Sequence, residues 1–137
     1  MTMVMDRPKT TTQPIKVHTD IRRGDIWIAD ISGVDGSIQS GKNRPVVILQ
    51  NELGNKFAPT VIIAPLSSST TKAKLPTHVD ISANRGLVKD SIVLLEQIRV
   101  IDQWCLINKV MRLDETMMLE IDKALAISVG LSYLYQN

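Results

Sequence analysis

The chain has 137 residues, of which 44% are hydrophobic, 22% are charged and only 4% are aromatic, and its formal net charge is +2. This length suits a single domain with an aliphatic core, and the composition excludes a fibrous or wholly disordered chain. The apolar runs are far shorter than the roughly 20 residues that a membrane-spanning helix requires, so no membrane partner is expected.

The N-terminal residues 1–20 are polar and contain three consecutive threonines and two prolines. Such a segment buries too little apolar surface to fold and lacks the apolar core of a signal peptide, so we predict a disordered extension. Cys105 is the only cysteine, which excludes an internal disulfide and, with the missing signal, indicates a cytoplasmic protein. Because Cys105 lies between Trp104 and Leu106, we expect a small buried hydrophobic side chain rather than a nucleophile.

Turn-forming residues divide the rest of the chain into short segments rich in β-branched and apolar residues. We predict strands over residues 25–30, 44–50, 60–66, 77–81, 91–101 and 107–113. Gly54 and Pro59 indicate a turn over residues 51–59. The loop 31–43 contains three glycines and three serines. Because loops of this length in compact domains are usually functional, it is a candidate binding segment.

The C-terminal segment has the features of a helix. Asp114 is a favourable N-cap, and Glu115 carries a negative charge in the first turn, where the helix dipole stabilises it. Two apolar stripes at helical spacing predict a helix that is buried on two sides. They consist of Met118, Ile121, Leu125 and Val129, and of Met117, Ala124, Ile127 and Leu131. Many short strands followed by one helix predict a mainly β fold, a small and strongly curved β-barrel closed by that helix.

Positive charge is concentrated in the first part of the chain. Residues 1–89 contain 12 lysines and arginines against 7 aspartates and glutamates, whereas residues 90–137 contain 4 against 7. The first part is therefore the expected face for an anionic partner, and the second part the expected scaffold. The charge pattern alone is equally typical of ordinary solvated surface groups.

Arg44 and Ser67 stand at the ends of two predicted apolar strands. Pro45 keeps Arg44 extended, so that the strand directs a guanidinium group that stays charged and binds phosphate bidentately. Ser67 begins a run of five hydroxyl residues over 67–71. Together, an arginine and a hydroxyl on rigid strands form a minimal site for a phosphodiester. Taken singly, the arginine is also typical of a surface salt bridge, and the hydroxyl run of a solvated loop.

Three further features bear on nucleotide, metal and ligand binding. Residues 36–43 approach a phosphate-binding P-loop, but Asn43 stands where a serine or threonine must bind magnesium, and a strand rather than a helix follows. The two histidines and one cysteine provide no zinc-type spacing, so we predict no metal and no cofactor. Glu96 and Gln97 interrupt an apolar segment. In a strand only one of them would face solvent, so the other must be paired or contact a ligand.

Five segments, in this order, resemble the MazF/PemK/Kid toxins: RRGDIWIAD, the Gly/Ser/Gln loop ending in NRPVVILQN, NKFAPTVIIAPLSS, KLPTHVDI and DSIVLLEQIRVID. The resemblance extends from about Ile21 to about Tyr133, so we expect one toxin domain over residues 21–137. It implies an SH3-like β-barrel with a C-terminal helix, a homodimer, and a sequence-specific, ribosome-independent endoribonuclease that is the toxic member of a toxin–antitoxin pair. Such proteins cleave single-stranded RNA without a metal, leaving a 2′,3′-cyclic phosphate and a 5′-hydroxyl.

The resemblance also implies roles for individual residues. It places the catalytic arginine at Arg44 and its partner hydroxyl at Ser67, where close relatives have threonine. It implies RNA contacts by Ser37, Gln39, Lys42, Glu96 and Gln97, while Ile38 stands where an acidic residue is common. The implied partners are single-stranded RNA, a MazE-like antitoxin, a second copy of the chain, and operator DNA only through the antitoxin.

Other functions remain open at this point. A gyrase-poisoning toxin of the same barrel, similar to the CcdB group, would need no arginine and hydroxyl pair and would use C-terminal residues such as Tyr133 and Tyr135. A catalytically inactive protein that acts as an antitoxin-bound DNA co-repressor is a second alternative. A β-barrel without any site is the third.

Overall fold

The computed structural model describes residues 18–68, 74–83 and 87–135. Within them the strands are β1 (Asp25–Ala29), β2 (Arg44–Ile48), β3 (Thr60–Ser67), β4 (His78–Ile81), β5 (Ser91–Leu94), β6 (Arg99–Asp102) and β7 (Leu106–Arg112). The α-helices are α1 (Glu52–Phe57) and α2 (Glu115–Ser128), and 3-10 turns occur at Leu95–Gln97, Gln103–Cys105 and Ser132–Tyr135.

The strand pairs of the described residues are all antiparallel. β3 pairs with three other strands, β2, β5 and β6, which is more than any other strand does. The strand order is β4-β5-β3-β2-β1-β7, and β6 pairs with β3 outside this path. One edge of β3 carries β2, while the other carries β6 along its first half and β5 along its second. β3 is shared by the part of the sheet that contains β2 and β6 and the part that contains β4 and β5. Because one strand belongs to both parts, the sheet is strongly curved. The prediction of a mainly β fold with a C-terminal helix is confirmed.

The sheet is buried on both faces, which gives the protein two hydrophobic cores. Successive residues of a strand point to opposite faces, and in β2 Val47 belongs to one core whereas Val46 and Ile48 belong to the other. The first core lies against α2, whose Ile121 and Ala124 are buried in it. Burial on both faces explains the unbroken apolar runs of the sequence.

The helix α2 is less buried than the two predicted stripes require. Asp114 caps it as predicted, since its side chain accepts from the backbone N–H of Met117 at 2.8 Å. Ile127 and Leu131 of the second stripe are 42% and 40% exposed, however, because only one side of the helix faces the sheet. Among the described residues, no helix has the length and hydrophobicity that crossing a bilayer would require.

Two predicted elements differ from the structure. Residues 51–59 were predicted as a turn but contain α1, which Asn51 caps by accepting from the backbone N–H of Gly54 at 2.8 Å. Gly54 suggested a turn, but it serves close packing, because a Cβ there would be 2.9 Å from the Gln50 side chain. The predicted strand 91–101 is broken by the turn Leu95–Gln97, since β5 pairs with β4 and β3 whereas β6 pairs with β3 alone.

Residues 18–20, the last three of the predicted N-terminal extension, contact the sheet. His18 Nε2 lies 2.7 Å from the backbone oxygen of Leu106, and its ring meets Trp27 edge-on at 4.7 Å. Lys109 donates to the backbone oxygen of Asp20 at 2.9 Å. Residues 18–20 therefore pack against β7 and β1, while residues 1–17 lie outside the described part of the chain.

Asp25 is a fully buried carboxylate at the start of β1. Its Oδ2 accepts from the backbone N–H of Arg22 at 2.9 Å and from the indole of Trp27 at 3.4 Å. Lys109 and Arg112 of β7 each lie 3.3 Å from a carboxylate oxygen. A buried charge is tolerated only when it is paired and hydrogen-bonded, so these contacts fix β1 against β7.

We expect Asp25→Asn to lower the free energy of unfolding by about 1.5–3 kcal/mol, the range for hydrogen bonds to charged groups, because it removes a buried charge shared by two cations and two donors. Asp20→Asn is the matched control, since Asp20 is exposed and lies 3.3 Å from the same Lys109, so we expect little effect. Urea unfolding of both variants measures the difference. Equal losses would show that burial of Asp25 contributes nothing.

Candidate active site

Arg44 and Ser67 lie at the same end of the neighbouring strands β2 and β3. In this antiparallel ladder Val46 lies opposite Pro65, and Ile48 lies opposite Ile63. Continuing the register by two residues sets Arg44, the first residue of β2, opposite Ser67, the last residue of β3. Opposite residues project from the same face of a sheet. The predicted arginine and the predicted hydroxyl therefore stand on neighbouring strands, at the same end of the sheet.

The Arg44 side chain is held by the loop 31–43. Its Nη2 donates to Oε1 of Gln39 at 2.6 Å. Gly41 lies directly on its aliphatic stem: a Cβ at Gly41 would be 2.9 Å from Cδ of Arg44, and the φ of +138° there is one that L side chains rarely adopt. Nε is buried without a hydrogen-bond partner among the described residues. Because Arg44 as a whole is only partly buried, the end of the guanidinium is the part that a ligand can reach.

Ser67 is the last residue of β3 and is held there by β5. It lies opposite Ile92 of β5 on one edge of β3, while β2 runs along the other edge. The residue is only 5% exposed, whereas the next residue, Ser68, is exposed. The sheet thus sets the direction of the Ser67 side chain, and a hydroxyl group in this position can donate to a phosphate oxygen.

Gln39 and Gln97 are connected to each other and to Arg44. The backbone N–H of Gln39 donates to Oε1 of Gln97 at 2.8 Å, while the side chain of Gln39 accepts from Arg44. Gln97 lies in the 3-10 turn Leu95–Gln97 rather than in a continuous strand. Three of the predicted site residues therefore form one chain of hydrogen bonds.

Glu96 is directed away from this chain and towards β4. Its carboxylate oxygens accept from the hydroxyl of Thr77 at 2.8 Å and from Nε2 of His78 at 3.0 Å. Partial burial alone would raise the pKa of Glu96, but the hydrogen bonds from His78 and Thr77 outweigh it and hold the pKa below its ordinary value. The backbone N–H of Leu75 donates to Nδ1 of His78, so Nε2 carries the proton of the neutral ring. In this structure Glu96 anchors the turn.

The other predicted RNA contacts lie on the exposed loop. Ser37 and Lys42 are exposed, and Ile38 is 41% exposed. Hydrogen bonds from Ser32 lower the pKa of Asp30, and the charge of Lys42 lowers it further. Lys42 belongs to the loop that holds Arg44, and its charge acts on Asp30, the residue that follows β1.

Sequence reasoning missed three residues that shape the site. Thr77 and His78 fix Glu96, and Gly41 permits the close contact with Arg44. The position of Gly41, in a loop directly before a strand, is a sequence signal that could have identified this residue. Nothing in the sequence pairs Thr77 and His78 with Glu96, because the contact depends on how β4 and β5 align.

Neither Cys105 nor a metal-binding group adds to the site. Burial, followed by the nearby charges of Asp102 and Asp30, raises the pKa of the Cys105 thiol, and the residue packs at the edge of the second core. A raised pKa is unfavourable for a nucleophile. Over 18–68, 74–83 and 87–135, no three His, Cys, Asp or Glu side chains are grouped as in a metal site.

Residues 22–129 match the family of PemK-like, MazF-like toxins of type II toxin–antitoxin systems. The chain belongs to this family. It is 51% identical over 112 residues to Endoribonuclease EndoA of Bacillus subtilis (strain 168), a match that covers 81% of this chain and 96% of that protein. It is 53% identical over 113 residues to Endoribonuclease MazF of Staphylococcus epidermidis, covering 82% and 93%. The predicted class, a MazF-type endoribonuclease of a toxin–antitoxin system, is confirmed.

A solved structure has the same fold. It is an endoribonuclease from a mycobacterial species, determined in complex with its cognate antitoxin, with a TM-score of 0.65 and 22% identity over 81% of this chain and 96% of that chain. The MazF-like fold thus accounts for the barrel and its terminal helix. Neither of the two endoribonuclease relatives supports the gyrase-poison alternative.

We expect Glu96→Gln to reduce the loss of stability in acid. Because the pKa of Glu96 is lowered on folding, its contribution is present above the ordinary value of 4.5 and is lost as the pH falls through the folded value. Urea unfolding at several pH values between 7 and about 3 measures this, with Glu120→Gln, an exposed carboxylate of α2, as the control. Parallel pH curves for wild type and Glu96→Gln would contradict the anchoring role.

Proposed function

We propose that this MazF-type endoribonuclease cleaves single-stranded RNA by internal transesterification without a metal. The 2′-hydroxyl loses its proton and attacks the adjacent phosphorus, the bond to the 5′-oxygen breaks, and that oxygen takes up a proton. The products are a 2′,3′-cyclic phosphate and a 5′-hydroxyl. The observation that carries the proposal is that Arg44, at the start of β2, and Ser67, at the end of β3, lie at the same end of two neighbouring antiparallel strands.

Arg44 stabilises the charge that develops in this reaction. The pentavalent intermediate concentrates negative charge on its non-bridging oxygens, and a preorganised cation stabilises it more than the substrate. The contacts with Gln39 and Gly41 restrict the side chain before RNA binds. Little reorganisation is then needed during the reaction.

Ser67 complements Arg44 as a hydrogen-bond donor to a phosphate oxygen. Pairing with β5 holds it in place, and its hydroxyl and the guanidinium approach the phosphate from the neighbouring strands β3 and β2. Compared with threonine, serine has no methyl group to restrict its rotamer. The fixed backbone replaces part of that restriction.

The loop 31–43 provides the surface for the RNA on either side of the cleaved bond. Ser37, Gln39 and Ile38 present polar and apolar groups to bases, and Lys42 attracts backbone phosphate without reading sequence. Gln97 lies against this loop, since its Oε1 accepts from the backbone N–H of Gln39. Single-stranded RNA, whose bases are unstacked, fits recognition by such a loop.

An antitoxin is the proposed regulator, and the solved relative that was crystallised with its cognate antitoxin supports this partner. An extended acidic segment would compete with RNA for Arg44 and Lys42, because both cations bind carboxylates as well as phosphates. Operator DNA would then be contacted only through the antitoxin.

A homodimer is proposed from the apolar surface that remains exposed. Ile62 of β3 and Val100 of β6 lie opposite each other and are 40% and 57% exposed. Ile62 also lines a groove of about 390 Å³ at the end of α2, together with Leu131, Leu134 and Tyr135. A continuous exposed apolar surface of this kind is typical of a subunit interface.

We expect Arg44→Ala to lower the cleavage rate by about 10²–10⁵-fold and Ser67→Ala by about 10²-fold, because each removes a preorganised group at the developing charge. Purified proteins are incubated with a long single-stranded RNA in excess EDTA, and the fragments are mapped for 5′-hydroxyl ends. Ser40→Ala, an exposed residue of the same loop, is the control and should cleave normally.

The outcomes separate the proposals. Unchanged cleavage by Arg44→Ala would remove the mechanism, and unchanged cleavage by Ser67→Ala would show that its hydroxyl is dispensable. Cleavage that stops in EDTA for every protein would show that a metal takes part. Circular dichroism and thermal melting of each variant confirm that the fold is retained.

We expect Val100→Glu to convert the dimer to a monomer, because it places a charge in the apolar interface. Sedimentation equilibrium measures the mass. Leu53→Glu is the control, since Leu53 is 70% exposed on α1 and does not line this groove. A variant Val100→Glu that remains dimeric would place the interface elsewhere.

A further inference from the structure

We infer that Gln97 is a positioning residue for the reaction, which holds the loop 31–43 on Arg44 through Gln39. The inference rests on the proposed function, because it assumes that Arg44 acts on the phosphate. In this role Gln97 uses its side-chain carbonyl oxygen. Recognition of a base would instead use its side-chain amide nitrogen.

The loop is held at two points. At its base, the backbone N–H of Ile31 donates to the oxygen of Gly41 at 2.8 Å. At its middle, the backbone N–H of Gln39 donates to Oε1 of Gln97 at 2.8 Å, a contact between residues 58 positions apart. The first contact only closes the loop on itself. The second attaches it to the barrel, and so determines where the Gln39 side chain lies.

Gln97 is itself a rigid support. The preceding Glu96 is hydrogen-bonded to Thr77 and His78, and Leu95 is fully buried in the first core. The backbone N–H of Leu95 also donates to the backbone oxygen of Thr77 at 3.0 Å. The turn Leu95–Gln97 is therefore fixed to β4, and a contact from its last residue transmits that rigidity to the loop.

The consequence reaches Arg44 through one further bond. Gln39 accepts from Nη2 at 2.6 Å, Gly41 lies close to the stem, and Nε is buried without a hydrogen-bond partner in the described part of the chain. An unsatisfied buried donor is unfavourable, so the arrangement persists only if the loop is held in place. With Gln97 holding it, the accessible end of the guanidinium keeps one orientation towards the phosphate.

Two substitutions separate the carbonyl from the amide nitrogen. Gln97→Met keeps the shape but removes the acceptor, whereas Gln97→Glu keeps an acceptor and removes the amide donor. We expect Gln97→Met to lower kcat about 10- to 100-fold with KM and Tm little changed, since misplacing a catalytic group has effects of this size. Gln97→Glu should restore kcat to near the wild-type value. Because its added charge repels RNA, the comparison is made on kcat at saturating substrate.

The assay uses an RNA oligonucleotide that contains one cut site mapped with the wild-type enzyme. Wild-type kcat in Gln97→Met would overturn the inference. Gln97→Glu as slow as Gln97→Met would assign the amide nitrogen to RNA recognition instead. A faster Gln97→Met would show that the loop shields Arg44 rather than positions it.

A double-variant test supplies an independent readout. Gln39→Met removes the acceptor for Arg44 and should lower kcat by about as much as Gln97→Met. If Gln97 acts through Gln39, adding Gln97→Met to Gln39→Met should have no further effect on kcat. Independent, additive losses would overturn the relay. Arg44→Ala that cleaves normally would instead refute the proposed function, whatever the behaviour of Gln97.

Discussion

The antiparallel register between β2 and β3 is the constraint on which the site depends. It sets Arg44, at the start of β2, and Ser67, at the end of β3, at the same end of the sheet. A shift by one residue would turn every side chain of one strand to the other face. Burial of both faces makes such a shift very unfavourable, since it would exchange the apolar residues of two packed cores. The same packing that stabilises the fold therefore fixes the positions of the two proposed catalytic residues.

Around this register, polar contacts hold the elements that the cores leave undetermined. Asp25 fixes β1 to β7 through buried charge, and Arg23 joins the sheet to α2, with its Nη2 at 2.5 Å from Asp122 and its Nε donating to Leu49 at 2.9 Å. Glu96 fixes the turn before β6 to β4. Each of these contacts joins two elements that are distant in the sequence. The apolar cores provide most of the stability, and these polar contacts align the elements with one another.

Much of this architecture is visible in the sequence, because strands with strong apolar patterns and a capped helix follow local rules. Arg44 and Ser67 were identifiable for the same reason, since each stands at the end of such a strand. The helix α1 was not, because Gly54 signals a turn unless its contact with Gln50 is known. The bonds from Gln97 to the loop and from Glu96 to β4 were also invisible, since they depend on tertiary alignment rather than on local pattern.

The contact between Gln39 and Gln97 also bears on how the site assembles. The β2–β3 pair joins segments that are near neighbours in the chain, so its closure costs little conformational entropy. The loop, in contrast, is held by a residue 58 positions away, and contacts of high sequence separation form at greater entropic cost. During synthesis, a chain that ends before residue 97 contains both proposed catalytic side chains but lacks the residue that we infer orients one of them. On this proposal, activity requires that the chain be made beyond the turn Leu95–Gln97.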